Sequence, residues 1–108
     1  MKKCEMTAYE MKAGVVKALA HPLRLAVVEF LRDRERCVCE IADHLGAGQS
    51  NVSRHLSLMV NACVLSNRKD GMKVFYALRT PCVLKFLSCV DSVLKERLRT
   101  ETALLRAR

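Results

Sequence analysis

Two thiols separated by one residue, Cys37 and Cys39, open the stretch CVCEIADHLGAGQSNVSRHLSLMV that spans residues 37–60. Thiolates this close suit a soft ion: trivalent arsenic or antimony, cadmium, lead or zinc. The same pair suits a redox signal, because neighbouring thiols can be oxidised together. Two sulfurs do not complete a metal site. At the start of a helix, the helix N-terminus and the nearby Arg34 and Arg36 would favour the thiolate form of both. The other cysteines, Cys4, Cys63, Cys82 and Cys89, are not spaced as a disulfide framework. Cys82 and Cys89 stand about 10.5 Å apart if they share a helix. That is beyond disulfide reach and too far for one ion. Within one chain they are not a site, and they read as small buried residues at the edge of an apolar arc, with a site across a dimer axis as the alternative. Cys63 reads as partly buried and structural.

The far end of the same stretch has a different chemistry. A helix that reads DNA in the major groove needs small polar residues in its N-terminal half and one or two long donors. Gln49, Ser50, Asn51, Ser53 and Arg54 meet that description, and Ser57 continues the polar face. Arg can bond guanine O6 and N7 together, and Gln or Asn can do the same for adenine. His55 borders the apolar stripe and reads as packed or phosphate-bonding. His21 and His44 read as capping or surface residues rather than ligands.

Helices joined by a glycine turn must position both ends. Val38 to Leu45 forms a short helix burying Ile41 and Leu45, and Gly46-Ala47-Gly48 is the turn. A helix from Gln49 to Ala62 places Val52, Leu56, Met59 and Val60 on one face. This is the helix-turn-helix pattern. Two helices precede it. Thr7 to Ala20 carries Met11, Val15 and Leu19 on one stripe, with Thr7 as N-cap and Glu10 at capping-box spacing. Pro22 to Leu31 starts on the proline and carries Leu23, Val27, Phe30 and Leu31. The charged run 32–36 reads as a solvated loop.

After the helix-turn-helix the period changes to 2. Val64 to Lys69 and Lys73 to Leu78 read as strands, and Asp70-Gly71 is the favoured turn pair of a two-residue hairpin. A basic hairpin in this place is a wing, with Arg68, Lys69 and Lys73 around its tip. Thr80-Pro81 caps a last helix running at least to Leu98. Its arc of Val83, Phe86, Leu87, Val90, Val93 and Leu94 is broader than a lone surface helix needs. It predicts packing on the first helix and on a second subunit. Residues 1–6 read as an N-terminal arm and 99–108 as a basic tail, all within one domain, 1–108.

The bulk properties fit. A chain of 108 residues holds one domain. With 51% apolar, 5% aromatic and 28% charged residues it is globular and helix-rich, not disordered. The net charge of +8 points to a polyanion, and nucleic acid is the commonest one for a small basic domain. No apolar run approaches the ~20 residues a membrane span needs. Nor does an apolar segment follow the N-terminal lysines as in a secretory signal, so the expected location is the cytoplasm, with thiols reduced and no membrane partner. No nucleophile–base pairing, phosphate loop or paired-carboxylate cluster supports an enzyme.

The segments ALAHPLRLAVVEFL, CVCEIADHLG, QSNVSRHLSLMVNACVL and RKDGMKVFYAL, in this order, resemble the ArsR/SmtB repressors, the arsenic- and metal-responsive winged-helix proteins. The resemblance covers roughly Ala18 to Leu78. It implies a mainly α winged helix-turn-helix fold with a small β-hairpin wing and dimerisation through the first and last helices. It also implies repression of a stress operon, with ligand binding weakening operator affinity and no cofactor needed to bind DNA. Gln49, Ser50, Ser53 and Arg54 match the family's DNA-contacting stretch, and Arg68, Lys69 and Lys73 its wing. One arsenic-responsive branch has a third Cys where this chain has Ala42. The cadmium and lead sensors complete the site from the partner's N-terminal arm, which makes Cys4 the candidate third ligand beside Cys37 and Cys39. The zinc sensors use Asp and His on the last helix; here Asp91 is present but no His is. Cys63 stands where the family usually has Gly. A thiol-redox or persulfide sensor, or a metabolite-responsive repressor with structural cysteines, remains open on the same fold.

Overall fold

The computed structural model describes residues 3–107, with side chains from Met6 onward. The order is α1 (Lys3–Leu19), α2 (Pro22–Phe30), β1 (Arg36–Cys37), α3 (Val38–Leu45), α4 (Gln49–Asn61), β2 (Leu65–Asp70), β3 (Lys73–Leu78) and α5 (Cys82–Arg106). The strands form one antiparallel sheet in the order β1-β3-β2. This is the expected winged helix-turn-helix, with one strand more than the sequence predicts. Among the described residues no helix is long and apolar enough to cross a membrane.

Local chemistry sets most boundaries. His21 caps α2: its Nδ1 accepts the Leu23 N–H at 3.1 Å, and Pro22 occupies the first turn. α3 starts on Cys37, whose own N–H donates to Glu40 Oε1 at 3.5 Å. It stops at Gly46, which adopts φ +62° while the Ala47 N–H donates to the Ala42 carbonyl at 3.1 Å. α4 closes in the same manner. The Val64 N–H reaches the Met59 carbonyl at 3.0 Å and the Cys63 N–H reaches Val60 at 2.9 Å, with Cys63 itself at φ +64°. That left-handed position is where glycine normally stands. In the wing, Asp70 pairs with Lys73, so the two turn residues are Gly71 and Met72 rather than Asp70 and Gly71. Gly71, at φ +63°, supplies the backbone a two-residue hairpin requires.

The core lies where α2, α3 and α4 meet the base of the sheet. Val27, Val28, Ile41, Val52, Leu56 and Met59 are wholly buried there, joined by Val64, Leu65 and Tyr76 from the sheet and Val83 and Leu87 from α5. The helix-turn-helix is therefore fixed on its apolar side by the residues that the 3.6-residue period selects.

Several expectations need correction. α1 begins at Lys3, so Thr7 lies inside the helix and does not cap it, and helix replaces the expected arm over residues 3–6, its first two residues lying outside the described ones. Of its predicted stripe only Leu19 is buried; Met11 and Val15 are exposed. The charged loop is not wholly a loop, because Arg36 and Cys37 pair with Tyr76 and Phe75 as β1. Thr80 does not cap α5 with its side chain: its Oγ1 is buried without a partner, and the Thr80 and Pro81 carbonyls accept the Val83 and Leu84 N–H groups instead. Along α5 only Val83 and Leu87 are buried, while Phe86, Val90, Val93 and Leu94 face outward.

Arg24 and two histidines join α1, α2 and α4. Arg24 donates through Nε to His55 Nδ1 at 3.1 Å and through Nη1 to the Lys17 carbonyl at 3.0 Å. The His21 and His55 rings lie 4.5 Å apart. Burial, then the charges of His21, Arg24 and Arg54, hold the His55 pKa below the ordinary imidazole value. Its Nδ1 accepts a hydrogen bond, so this packing requires the neutral ring. His44 instead stacks on Phe30 at 3.9 Å.

Two outcomes follow from these backbone and packing details. Cys63→Gly relieves a left-handed residue, and urea unfolding should show a gain of about 1 kcal/mol; a loss would mean that the Cys63 side chain stabilises the turn. Because the folded-state pKa of His55 is depressed, its contribution is complete above about pH 6.5 and fades as pH falls through the folded value. Unfolding midpoints at about pH 7.5 and about pH 5.5 should therefore differ more for the wild type than for His55→Gln; equal differences would contradict this assignment.

Candidate nucleic-acid interface and thiol pair

α4 is pinned through Val52, Leu56 and Met59, which turns its other face outward. Gln49, Ser50, Asn51, Arg54 and Ser57 are exposed, and Ser53 is half-buried. Arg54 donates through Nη2 to Asn51 Oδ1 at 3.3 Å, so the two longest polar groups on this face are already aligned with one another. The N-terminal half of α4 thus presents small side chains with one extended donor. The Gly46–Gly48 turn, exposed at both glycines, leaves the approach to that end open.

The wing residues differ among themselves. Lys69 and Lys73 are exposed beside the tip, and among the described residues no carboxylate pairs with either. Arg68 is engaged. Its Nε lies 3.1 and 3.0 Å from the two Glu35 carboxylate oxygens, and its Nη2 also bonds Glu35 Oε1. Nη1 stands 3.6 Å from Asp70 Oδ2, and the guanidinium lies over the Phe75 ring at 4.7 Å. The Arg68 hydrogen bond holds the Glu35 carboxyl below its usual pKa, and Arg68 is raised in turn.

Cys37 and Cys39 meet at the N-terminus of α3, where their sulfurs are joined as a disulfide with Cα atoms 5.4 Å apart. Cys37 is 3% exposed and Cys39 half-buried. The expected cationic neighbours are there but already occupied. Arg34 lies 3.3 Å and Arg36 3.6 Å from Glu40 Oε2, and Arg36 also covers the Phe30 ring at 4.2 Å. Burial opposes ionisation of Glu40, but the Cys37 amide, Arg34 and Arg36 outweigh it, and its pKa is lowered. The help the two arginines give a thiolate is shared with this carboxylate.

Among the described residues no third ligand stands beside the pair. Ala42 is buried in the core, and the Cys4 side chain lies outside the described residues. Among the described residues no three His, Cys, Asp or Glu side chains gather to hold a metal ion. Cys63, Cys82 and Cys89 are all exposed, which corrects the partly buried reading of Cys63 and the buried reading of Cys82 and Cys89. Cys63 instead lines an open groove of ≈ 980 Å³ between α1 and α4, with Met11, Val15 and Leu58.

Sequence reasoning missed Glu35 and Glu40. Glu40 bonds the Cys37 amide and gathers Arg34 and Arg36 at the start of α3, and Glu35 holds Arg68 of the wing. The Cys37–Glu40 spacing is a capping-box spacing and carried a usable signal, although Cys is an unusual N-cap. Glu35 carried none, because its partner lies 33 residues away.

Comparison with known proteins gives the same picture. Residues 21–62 match the family described as bacterial regulatory protein, arsR family. The chain is 34% identical over 98 residues to Rv0081, an uncharacterised HTH-type transcriptional regulator of Mycobacterium tuberculosis, covering 90% of this chain and 86% of that one. The crystal structure of Rv0081 superposes with a TM-score of 0.76, covering 88% and 96% of the two chains at 32% identity. The solution structure of Mb0332 from Mycobacterium bovis, described as a homodimeric winged helix-turn-helix DNA-binding domain, gives a TM-score of 0.78 at 25% identity, covering 93% of each chain. A probable mercury resistance operon repressor of Streptomyces lividans is 40% identical over 71 residues, covering 66% of this chain and 57% of that protein. A helix-turn-helix fixed by the core, a basic hairpin and these relatives agree, and the chain belongs to the ArsR/SmtB family of winged helix-turn-helix transcriptional repressors.

Proposed function

We propose that this regulator is a cytoplasmic homodimer that holds its operator in the reduced, ligand-free state and releases it when Cys37 and Cys39 are bridged by a soft ion such as As(III), Sb(III), Cd or Pb. The observation that carries this reading is the meeting of both sulfurs at the N-terminus of α3, the helix that packs on α4. DNA binding needs no cofactor. Gln49, Ser50, Asn51, Ser53, Arg54 and Ser57 meet the major groove, and the wing supplies Lys69 and Lys73 to phosphate, while Arg68 beside them is paired with Glu35. Two thiols give a soft ion two bonds, and Cys4 from the partner is the proposed third. A ligand that binds the low-affinity conformation better needs a coupling of only ~1–3 kcal/mol to act as inducer. The likeness to a mercury resistance repressor supports the choice of soft ions.

The dimer rests on the apolar surface that one chain leaves uncovered. Met11 is 71%, Val93 66% and Leu98 61% exposed, all on α1 and α5. Within one chain α5 packs on α2 rather than on α1 as expected, and the apolar faces left open on α1 and α5 mark an interface. A two-fold pair places two α4 helices in successive major grooves, about 34 Å apart.

A second reading is favoured by a specific observation. The Cys37 and Cys39 sulfurs stand within reach of one another, so oxidation of the pair to a disulfide by an external two-electron oxidant, with loss of two electrons and two protons, could serve as the signal itself.

Arg54→Ala should weaken binding to the protein's own upstream DNA by about 1–3 kcal/mol while leaving folding intact; unchanged affinity in fluorescence anisotropy would remove Arg54 from the interface. Titration of reduced protein–DNA complex with arsenite, cadmium or lead should release the DNA, and Cys37→Ser and Cys39→Ser should abolish that release. Release that persists in both variants rules out the thiol pair. Release by a disulfide-forming oxidant alone, with the Cys37–Cys39 link seen by mass spectrometry and no response to ions, selects the redox reading.

A further inference from the structure

Arg68 stands at the place in the wing where a phosphate donor is expected, yet every nitrogen of its guanidinium faces a carboxylate. Nε and Nη2 are taken by Glu35, and Nη1 faces Asp70 at 3.6 Å. Two acids around one base leave that spot locally negative, which opposes a DNA backbone. Lys69 and Lys73 lie close by without such partners. The Arg68–Glu35 pair is bidentate, and its ring stacking on Phe75 fixes the plane of the guanidinium.

Glu35 is not part of the wing. It immediately precedes β1, and β1 runs directly into α3. The sheet register makes the connection tight. Cys37 of β1 is opposite Phe75 of β3, and Phe75 is opposite Arg68 of β2. The thiol residue, the aromatic ring and the wing arginine therefore lie in one row across three strands.

We infer that Glu35 is a positioning residue for DNA binding, which holds Arg68 against the sheet and away from phosphate so that the wing contacts the backbone through Lys69 and Lys73 until the Glu35–Arg68 pair opens. Asp70 assists from the wing itself. Because Glu35 adjoins the strand that carries Cys37, a shift of β1 moves the carboxylate that holds the arginine. The inference rests on the reading of the hairpin as a DNA-contacting wing.

The test is duplex DNA binding by full-length wild type, Glu35→Gln, Glu35→Asp, Arg68→Ala and the Glu35→Gln/Arg68→Ala pair across a salt series. Glu35→Gln should bind at least about tenfold tighter at low salt, the worth of one added hydrogen bond to a charged group. Its plot of log affinity against log salt should steepen by about 0.9, one more phosphate neutralised. Glu35→Asp, which keeps the charge, should stay near wild type. Arg68→Ala should change little, and adding it to Glu35→Gln should erase the gain. An unchanged slope in Glu35→Gln, weaker binding by that variant, or a gain that survives Arg68→Ala would overturn the inference; the last would show a mere loss of negative charge. Wild type that binds no duplex at any salt would overturn the DNA-binding reading as well, whereas wild-type binding with an unchanged Glu35→Gln slope defeats the inference alone.

Discussion

The pairing of Arg36 and Cys37 with Tyr76 and Phe75 is the contact on which the rest of this molecule turns. β1 is two residues long, but it has no linker on its C-terminal side. Cys37 is at once the last strand residue and the N-cap of α3. The sheet therefore fixes where α3 begins, and Ile41 and Ala42 fix which way it rolls. α4 then rests on α3 through Val52, Leu56 and Met59. The same two residues that start the helix-turn-helix also hold the inner strand of the wing. In a close-packed interior such a junction shifts as a unit, not by local yielding. A chemical event at Cys37 and Cys39 acts on a junction that touches both α4, through α3, and the hairpin, through β3.

Charge is distributed with the same economy of position. The chain carries a net +8, yet its acids near the junction are not dispersed. Glu40 gathers Arg34 and Arg36 beside the thiols, and Glu35 gathers Arg68 from the wing. Exposed ion pairs contribute little stability one by one. Their consequence here is to settle which cations stay available for a polyanion. Arg54, Lys69 and Lys73 are outward and have no carboxylate partner among the described residues, whereas Arg34, Arg36 and Arg68 are each paired with one.

Much of this was legible in the sequence because burial imposes periodicity. Val52, Leu56 and Met59 recur at helical spacing and all reach the core. The change to period 2 after Cys63 marked the wing, and the wing formed within a residue of its expected bounds. What escaped was set by tertiary contact. A two-residue strand has no alternation to recognise, so β1 was hidden in a run of charges that resembles a solvated loop. Glu35 finds Arg68 across 33 residues, a pairing no local pattern encodes. Met11, Val15 and Val93 have the right periodicity for burial but face outward, because one chain alone offers them nothing to pack against. Cys63 is the reverse case. It was read as a side chain with a buried role, but its constraint is the left-handed backbone that closes α4.

The most direct test of the account is amide hydrogen exchange on the reduced protein and on protein whose Cys37–Cys39 pair has been closed, by arsenite in one sample and by oxidation in another. Closing the pair should alter protection together in three places: the start of α3, residues Gln49 to Arg54 of α4, and the Arg68 and Phe75 region of the wing. A change confined to the first turn of α3, with α4 and the wing untouched in both samples, would contradict the claim that the thiol pair and the DNA-binding surface are one mechanical unit.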